Sequence, residues 1–276
     1  MVVDNAIPTA NAPTIGDSPI EPASAAAPKN DAVAIPSTLP FAFHSLGVII
    51  FARMSSRRLP GKMMKKIGSK KLINHIIDRA KMIKTKNKLI LATSKKKDDN
   101  CLVSEAIKAN INVYRGNLNN VVKRSFDCCK KYGLSSFVRV CGDRLFLDYK
   151  EINQVIKKLY LKKNKIDIAS NLLNGKIPAG KTIEIISVSA LQKILNQTKN
   201  KFHLEHVSTY IYENKKEFKI LKLRKPRYAS LNYRYAVDDL RDLKRSKYIY
   251  KNEKNLKDLS NSKIFYYTKN WFNKHS

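Results

Sequence analysis

The residues best suited to chemistry lie together in one basic loop, residues 52–62, which reads Ala-Arg-Met-Ser-Ser-Arg-Arg-Leu-Pro-Gly-Lys. The loop follows a short apolar run, residues 46–52, of the kind expected for a strand buried on both faces. Cations, small hydroxyl residues and a glycine in one loop suit a polyphosphate, because guanidinium groups and backbone N–H groups can share its negative charge. The loop lacks the G-x-x-x-x-G-K-S/T spacing of a Walker motif, so we predict a phosphate cradle of another type.

Polar residues also follow three later predicted strands: Thr93 and Ser94, then Arg115, then Asp143. Ligands of α/β sheets bind beyond the carboxyl ends of the strands, so these residues are candidates for a site. Simpler interpretations stay open, since a Thr-Ser pair often caps a helix and an Asp often caps a turn. The five histidines and four cysteines are scattered without metal-binding spacing, so any metal is predicted to be bound by oxygen.

The elements that hold these residues are predicted from the apolar periodicity. Short apolar runs predict strands and one-sided apolar stripes predict helices, and the two alternate along the chain. The predicted strands are residues 46–52, 88–93, 111–114 and 137–141, and the predicted helices are residues 72–83, 98–110 and 119–132. Such alternation predicts an α/β fold with a mostly parallel sheet.

Beyond Asp143 the pattern is less regular, and a mixed sheet or an insertion is expected. The predicted strands here are residues 166–169, 183–187, 218–223 and 234–237, and the predicted helices are residues 150–161, 203–212, 239–250 and a short one from Ser189. The basic and aromatic stretch 251–276 is a packed terminal helix or a partner surface. Packing is favoured, because aromatic side chains are usually buried.

The first 40 residues differ in composition from the rest of the chain. They contain seven of the ten prolines, four acidic residues and one lysine. Such a composition cannot build a packed core. We therefore predict a disordered, low-complexity segment at residues 1–40 and a single domain at residues 41–276.

The chain has 54 lysines and arginines against 22 acidic residues among 276, which gives a formal net charge of +32. Basic surfaces can bind nucleic acid or another anionic polymer, because cations that meet phosphates release counterions. Coding bias is the favoured explanation, since lysine, asparagine and isoleucine are abundant together and no helix-turn-helix, zinc finger or RNP pattern is present. A nucleic-acid partner is therefore not favoured.

No apolar run approaches the roughly 20 residues that a bilayer requires, so no membrane span is predicted. The first residues do not read as a secretory signal, and the cysteines show no disulfide framework. We therefore expect a cytoplasmic protein with reduced thiols.

The basic loop resembles the A-R-x-x-S-x-R-L-P-G-K opening of the cytidylyltransferases that activate acidic sugars, especially the spore-coat polysaccharide and acylneuraminate branch. Seven further matches follow in the family's order, and the similarity spans about residues 46–250. These matches are Ala92-Thr93-Ser94 with Asp98-Asp99, Val113-Tyr114-Arg115-Gly116 with Arg124, Val138-Arg139-Val140-Cys141-Gly142-Asp143, Ser170-Asn171, Gly180 with Glu184, Glu205-His206-Val207, and Arg234 with Val237-Asp238 and Asp242-Leu243. The resemblance implies a Rossmann-like nucleotide-diphospho-sugar-transferase fold, with a mixed, mostly parallel sheet flanked by helices.

The resemblance also implies a reaction, in which a sugar hydroxyl attacks the α-phosphorus of CTP and expels pyrophosphate. The product would be a CMP-linked acidic sugar, of the sialic-acid-like kind, for surface polysaccharide or glycoprotein biosynthesis. Mg²⁺ is the implied cofactor, and Asp143 and Asp238 match the family's metal-binding aspartates. Two separated carboxylates suit Mg²⁺, which keeps several waters. A homodimer is common in the resembling family.

The remaining site residues are also assigned by the resemblance. The implied nucleotide-binding residues are Ala52, Arg53, Ser55, Ser56, Arg58, Lys62, Thr93, Ser94 and Arg115, and the implied acceptor-binding residues are Arg139, Asn171, Glu184, Glu205 and His206. The implied catalytic residues are Arg53, Lys62, Asp143 and Asp238. Two alternatives stay open: Arg139 supports the turn at Asp143, and His206 is a packing histidine.

Three departures from the family pattern bear on activity. Leu145 stands where the family usually has proline, Asn120 stands where it commonly has aspartate, and residues 238–243 read D-D-L-R-D-L in place of D-x-P-E-D-L. Looser turns around the two aspartates are therefore expected. The alternatives are a nucleotidyltransferase for another sugar or nucleotide, and a diverged, non-enzymatic module that binds an anionic polymer.

Overall fold

The computed structural model describes residues 45–85, 88–160, 165–225 and 233–275. The disorder predicted for residues 1–40 and the domain boundary predicted at residue 41 lie outside the described residues. The strands are β1 (Leu46–Phe51), β2 (Lys66–Ile67), β3 (Lys70–Lys71), β4 (Leu89–Ser94), β5 (Asn112–Gly116), β6 (Ser136–Cys141), β7 (Ile168–Ser170), β8 (Glu184–Ser187) and β9 (Ile220–Lys222).

Seven of these strands form one sheet in the order β5-β4-β1-β6-β8-β7-β9, and β2 and β3 form a separate small hairpin. β1, β4, β5 and β6 run parallel to one another, whereas β8 runs antiparallel to both of its neighbours, β6 and β7. β9 pairs with β7 in parallel. The expected mixed, mostly parallel sheet is confirmed.

Helices cover both faces of the sheet. They are α1 (Leu72–Ala80), α2 (Asn100–Lys108), α3 (Val121–Tyr132), α4 (Tyr149–Tyr160), α5 (Val188–Gln197), α6 (Lys201–Glu205), α7 (Thr209–Glu213), α8 (Leu240–Asn252) and α9 (Asn261–His275). Strand residues alternate between two cores, since Val48 and Ile50 pack with α1 and α4 while Ile49 and Phe51 pack with α3 and α5. No helix in the described ranges is long and apolar enough to cross a membrane.

Two predicted elements differ from the structure. The helix predicted at residues 203–212 is divided into α6 and α7, because His206 leaves helical geometry and Val207, Ser208 and Thr209 are weak helix formers. The strand predicted at residues 234–237 does not pair with the sheet. Its backbone N–H groups instead donate to two loops, as described below.

The sheet topology places a crevice at the carboxyl end of β1. β4 lies on one side of β1 and β6 on the other, so the chain connections diverge there and leave space for a ligand. The Gly142 N–H donates to the Phe51 carbonyl at 2.8 Å, which joins the ends of β6 and β1. A Cβ at Gly142 would lie 3.2 Å from the Ala52 Cβ, so this close approach favours glycine.

Candidate active site

The basic loop after β1 is fixed by its own turn and by bonds to a distant segment. Gly61 has a φ of +63°, in the left-handed region that favours glycine, and it leads into a single 3-10 turn at Lys62–Met64. The Lys62 ammonium donates to the Val237 carbonyl at 2.9 Å and to Asp238 Oδ1 at 3.1 Å. The loop is thereby connected to the segment that precedes α8.

Three small residues of this loop have different surroundings. Ala52 is buried, whereas Ser55 is exposed. The Ser56 hydroxyl accepts a bond from the Leu59 N–H at 3.4 Å, and the Ser56 N–H donates to the Met54 carbonyl at 2.8 Å. Ser56 therefore shapes the turn.

The two predicted metal-binding aspartates lie on adjacent backbone segments. The Val237 N–H donates to the Asp143 carbonyl at 2.8 Å, and Asp238 is the next residue. Asp143 Oδ1 is buried and has no hydrogen-bond partner among the described residues. A buried carboxylate oxygen without a partner is costly, so the position suits a cation or a water.

Asp238 is bonded by three cations. Its Oδ2 atom lies 3.0 Å from the Arg58 guanidinium and 2.8 Å from that of Arg234, and its Oδ1 atom lies 3.1 Å from Lys62 Nζ. The three side chains carry more positive charge than the Asp238 carboxylate neutralises. The excess makes this part of the crevice a place where anionic phosphates are favoured.

The donor set fits Mg²⁺ and not a metal held entirely by protein. No group of three or more His, Cys, Asp or Glu residues suited to a metal is found in the described part of the chain. Asp143 and Asp238 supply carboxylate oxygens only, the ligand type that Mg²⁺ prefers, and Mg²⁺ commonly completes its shell with waters and substrate phosphates.

The turn at Asp238 is held despite the residues that differ from the family pattern. Asp242 Oδ2 accepts the Asp238 N–H at 2.9 Å, and Asp242 Oδ1 pairs with the buried Arg245 guanidinium at 2.8 Å. Arg245 also donates to the Ala236 carbonyl at 2.9 Å. The Asp239 carboxylate caps α8 by accepting the Asp242 N–H at 2.8 Å. These bonds hold the turn at Asp238 in place, although the chain lacks the proline that the family pattern has after this aspartate.

The predicted nucleotide-binding residues at the end of β4 are bonded to a buried aspartate, Asp99. Its Oδ2 atom accepts bonds from the Thr93 hydroxyl at 2.9 Å and from the Ser94 N–H at 3.1 Å. The Arg115 guanidinium donates to the Ser94 carbonyl at 3.0 Å and to the Lys96 carbonyl at 2.7 Å. Thr93, Ser94 and Arg115 are thus brought together, and their polar groups shape the end of β4.

Two residues predicted to bind the acceptor, Arg139 and Glu184, form an ion pair, and Arg144 shares the Glu184 carboxylate. The guanidinium groups of the two arginines lie 2.5 Å and 3.3 Å from Glu184 Oε2, and the Tyr212 hydroxyl donates to Glu184 Oε1 at 2.9 Å. Burial alone would raise the pKa of Glu184, but the two guanidinium charges overcome it and lower the pKa to about 2. Burial alone would lower the pKa of Arg139, but the nearby Cys141 and Glu184 overcome it and raise the pKa.

The other predicted acceptor residues are less closely grouped. Glu205 accepts from Arg53 at 2.8 Å, which joins α6 to the basic loop. The Asn171 side chain instead joins two backbone groups near β8, since it donates to the Lys181 carbonyl and accepts from the Ile183 N–H, each at 3.0 Å. His206 is exposed rather than packed in the core.

Three residues to which the sequence assigned no role contact residues of the predicted site. Arg234 pairs with Asp238, but a four-residue spacing signals contact only in a helix, and this segment is not helical. Phe202 is 56% exposed and its ring lies 4.6 Å from that of His206, beside Glu205. Asp99 is part of the Asp98-Asp99 match to the family. Its position five residues after Ser94 is the sequence feature that could have indicated its contact with the end of β4.

Residues 47–271 match the family model described as Cytidylyltransferase. The uncharacterized protein MJ1063 of Methanocaldococcus jannaschii is 33% identical over 197 residues, covering 71% of this chain and 79% of that protein. Spore coat polysaccharide biosynthesis protein SpsF of Bacillus subtilis is 27% identical over 229 residues, covering 78% of this chain and 90% of SpsF.

Two further similarities extend this result. The 3-deoxy-manno-octulosonate cytidylyltransferase of Aeromonas salmonicida is 30% identical over 120 residues, covering 42% of this chain and 46% of that enzyme. The structure of a cytidylyltransferase from Leptospira borgpetersenii superposes with a TM-score of 0.74 at 25% identity, covering 84% of this chain and 94% of the other. The similarity therefore extends over the β1 loop, the sheet and α8.

Proposed function

The chain belongs to the cytidylyltransferase family, and we propose that it transfers CMP from CTP to an acidic, sialic-acid-like sugar with release of pyrophosphate. Family membership supports a CTP-using nucleotidyltransferase. The observation that carries the proposal is the group formed by Asp143, Asp238 and the cations of Arg58, Lys62 and Arg234. This group combines a carboxylate pair with a surplus of positive charge at the carboxyl end of β1.

The proposed chemistry follows from this charge arrangement. Transfer of a nucleotidyl group develops negative charge on phosphoryl oxygens, so catalysis depends on positioning and on charge neutralisation. Arg58 and Lys62, which contact Asp238, are placed to exchange that carboxylate for phosphate oxygens when CTP binds. Mg²⁺, when held by Asp143 and Asp238, supplies positive charge to the triphosphate. Arg53, at the start of the loop, orients the reacting phosphate in this proposal.

An acidic acceptor is supported by charge and by a relative. Arg139 and Arg144 share one buried carboxylate, Glu184, so a second carboxylate in this region would be electrostatically favoured. The 3-deoxy-manno-octulosonate cytidylyltransferase named above acts on a sugar acid. We propose a role in the cytoplasm, in surface polysaccharide or glycoprotein biosynthesis, in line with the name of the SpsF relative.

The proposal is tested by measuring pyrophosphate release from CTP with Mg²⁺ and a panel of eight-carbon and nine-carbon sugar acids. We expect release with CTP and not with ATP, GTP or UTP, and a loss of about 100-fold or more in Asp143→Asn. Equal activity of Asp143→Asn and wild type would contradict the assigned metal site. No release with any sugar, combined with no stabilisation by CTP in thermal unfolding, would reject the transferase function.

Arg58 offers a sharper test, because its neighbour is a matched control. Arg57 is exposed and forms no ion pair with the described residues, whereas Arg58 contacts Asp238. We expect Arg58→Gln to raise the KM for CTP by about 10-fold to 100-fold, since a charge-assisted bond to phosphate is lost. Arg57→Gln should change KM by less than about 3-fold. Similar effects of both variants would show that general charge, and not the site, binds the triphosphate.

A further inference from the structure

We infer that Asp99 is a positioning residue that holds the start of the basic loop against the end of β4. One carboxylate connects two loops that follow adjacent strands, and the residue is 2% exposed. Its Oδ1 atom accepts the Met54 N–H at 2.8 Å, while its Oδ2 atom accepts the Thr93 hydroxyl and both the N–H and the hydroxyl of Ser94. The inference rests on the proposed function in one respect, which is the assignment that Arg53 orients the reacting phosphate.

The arrangement requires an ionised carboxylate. All four partners are donors, and bonds to an ionised acceptor are about twice as strong as neutral ones. Burial alone would raise the pKa of Asp99, but the bonds from Ser94, Met54 and Thr93 overcome it and lower the pKa. An amide could not replace this group, because its NH₂ would face one of the two backbone N–H donors.

Arg53 depends on this anchor more than on its own side-chain partner. The side chains of Arg53 and Glu205 are 38% and 40% exposed, and an ion pair of that exposure restrains its members weakly. Asp99, by contrast, bonds the backbone of the next residue, Met54, in a buried position. Asp99 therefore fixes where the chain leaves β1, and Glu205 only limits where the guanidinium points.

Asp99 does not itself contact phosphate in this assignment. A carboxylate would repel a triphosphate, and both of its oxygens are already bonded within the protein. Its effect must pass through the loop, so its loss should change loop dynamics and turnover together. A displacement of about 1 Å at a reacting group can reduce a rate by about 100-fold.

The first experiment is hydrogen–deuterium exchange of the full chain as wild type, Asp99→Asn and Asp98→Asn. Asp98 is the adjacent, exposed residue and serves as the matched control. We expect peptides covering residues 52–62 to exchange at least about 10-fold faster in Asp99→Asn, with peptides covering β7 unchanged. Unchanged exchange at residues 52–62 would overturn the inference, and this readout does not depend on catalytic activity.

The second experiment is a kinetic double-mutant cycle between Asp99→Asn and Arg53→Lys. If Asp99 acts through Arg53, Asp99→Asn should lower kcat by about 10-fold to 100-fold, and the double variant should lose little more than the worse single variant. Multiplicative losses would overturn the inference. If Asp99→Asn does not fold, Asp99→Glu, which keeps both acceptor oxygens on a longer side chain, is used with the same expectations. A wild type that releases no pyrophosphate and is not stabilised by CTP, together with faster exchange of the basic loop in Asp99→Asn, would reject the proposed function and retain the positioning role of Asp99.

Discussion

At the scale of single residues, the buried charge of Glu184 is expected to contribute strongly to stability. Its carboxylate is fully buried and bonds Arg139, Arg144 and Tyr212. Removing one member of a buried ion pair leaves the other charge without compensation, at a cost of about 3–5 kcal/mol. We therefore expect Glu184→Gln to lower the free energy of unfolding by about that amount in urea titrations at pH 7. Glu217→Gln, at a side chain 39% exposed, should cost less than about 1 kcal/mol.

The lowered pKa of Glu184 also predicts how stability depends on pH. In the unfolded chain this carboxyl titrates near its ordinary value of 4.5, whereas in the folded protein its pKa is about 2. The unfolded state therefore takes up the proton first as the pH falls. The stabilisation is complete above about pH 4.5 and is lost towards pH 2. Urea titrations of wild type and Glu184→Gln across this range should converge at low pH, and parallel curves would show that the carboxylate is not stabilised by its partners.

At the scale of elements, α9 is part of the packed domain. Trp271 is 3% exposed, and the Phe272 ring stacks on Tyr233 with centroids 5.1 Å apart, next to Arg234. The sequence favoured packing over a partner surface for this stretch, and the buried face of α9 agrees with that. The helix therefore supports the segment that carries Asp238.

We expect Trp271→Ala to lower the free energy of unfolding by about 3–5 kcal/mol, because a large buried side chain is removed. Tyr266→Ala, at a residue 57% exposed on the same helix, should change it by less than about 0.5 kcal/mol. Chemical denaturation of both variants measures the difference. If Tyr266→Ala is the more damaging of the two, the exposed face of α9 and not its buried face does the packing, as an interface between chains would require.

The types of the elements were predictable from the sequence, because they depend on local apolar patterns. The pairing of the strands was not predictable. Short apolar runs located β1, β4 and β6, and a one-sided apolar stripe located α3, to within a few residues. The antiparallel direction of β8 was not predictable, because strand direction is decided by partners distant in sequence. The strand predicted at residues 234–237 is absent from the sheet, because the N–H groups of Tyr235 and Val237 donate to the Ala179 and Asp143 carbonyls, which only the folded chain brings near.

At the candidate site, the sequence predicted that Asp143 and Asp238 lie together, but not what they bind. The structure brings the backbones of the two residues together, and their metal-binding role, which the resemblance implies, stays a prediction. The partner of a side chain was not predictable, since Asn171 and Arg115 bond backbone carbonyls that only the folded chain brings near. Their assigned roles toward acceptor and nucleotide stay predictions.

At the scale of the whole molecule, the net charge of +32 attracts any polyanion to the protein. On α8 the lysines at 244, 247 and 251 are exposed along one side of the helix, as a solvated face would have them. A surface of this kind attracts phosphates without selecting among them, and salt screens the attraction. Charge alone therefore does not distinguish an enzyme from a polymer-binding module.

Binding by an enzyme site and binding by a polymer-binding surface differ in the residues they need and in how they respond to salt. If the basic surface is general, duplex DNA should bind wild type and Asp143→Asn equally, with Kd no tighter than about 10⁻⁶ M at physiological salt and with affinity that falls steeply as salt rises. Binding of Mg²⁺ and CTP should be lost in Asp143→Asn and should depend less on salt, because its contacts converge on a partly buried site. Fluorescence anisotropy across a salt series measures both. Two results together would favour the polymer-binding module: a Kd for DNA well below about 10⁻⁶ M at physiological salt, and CTP binding that is unchanged in Asp143→Asn. The affinity would then come from the basic surface and not from the site at the end of β1.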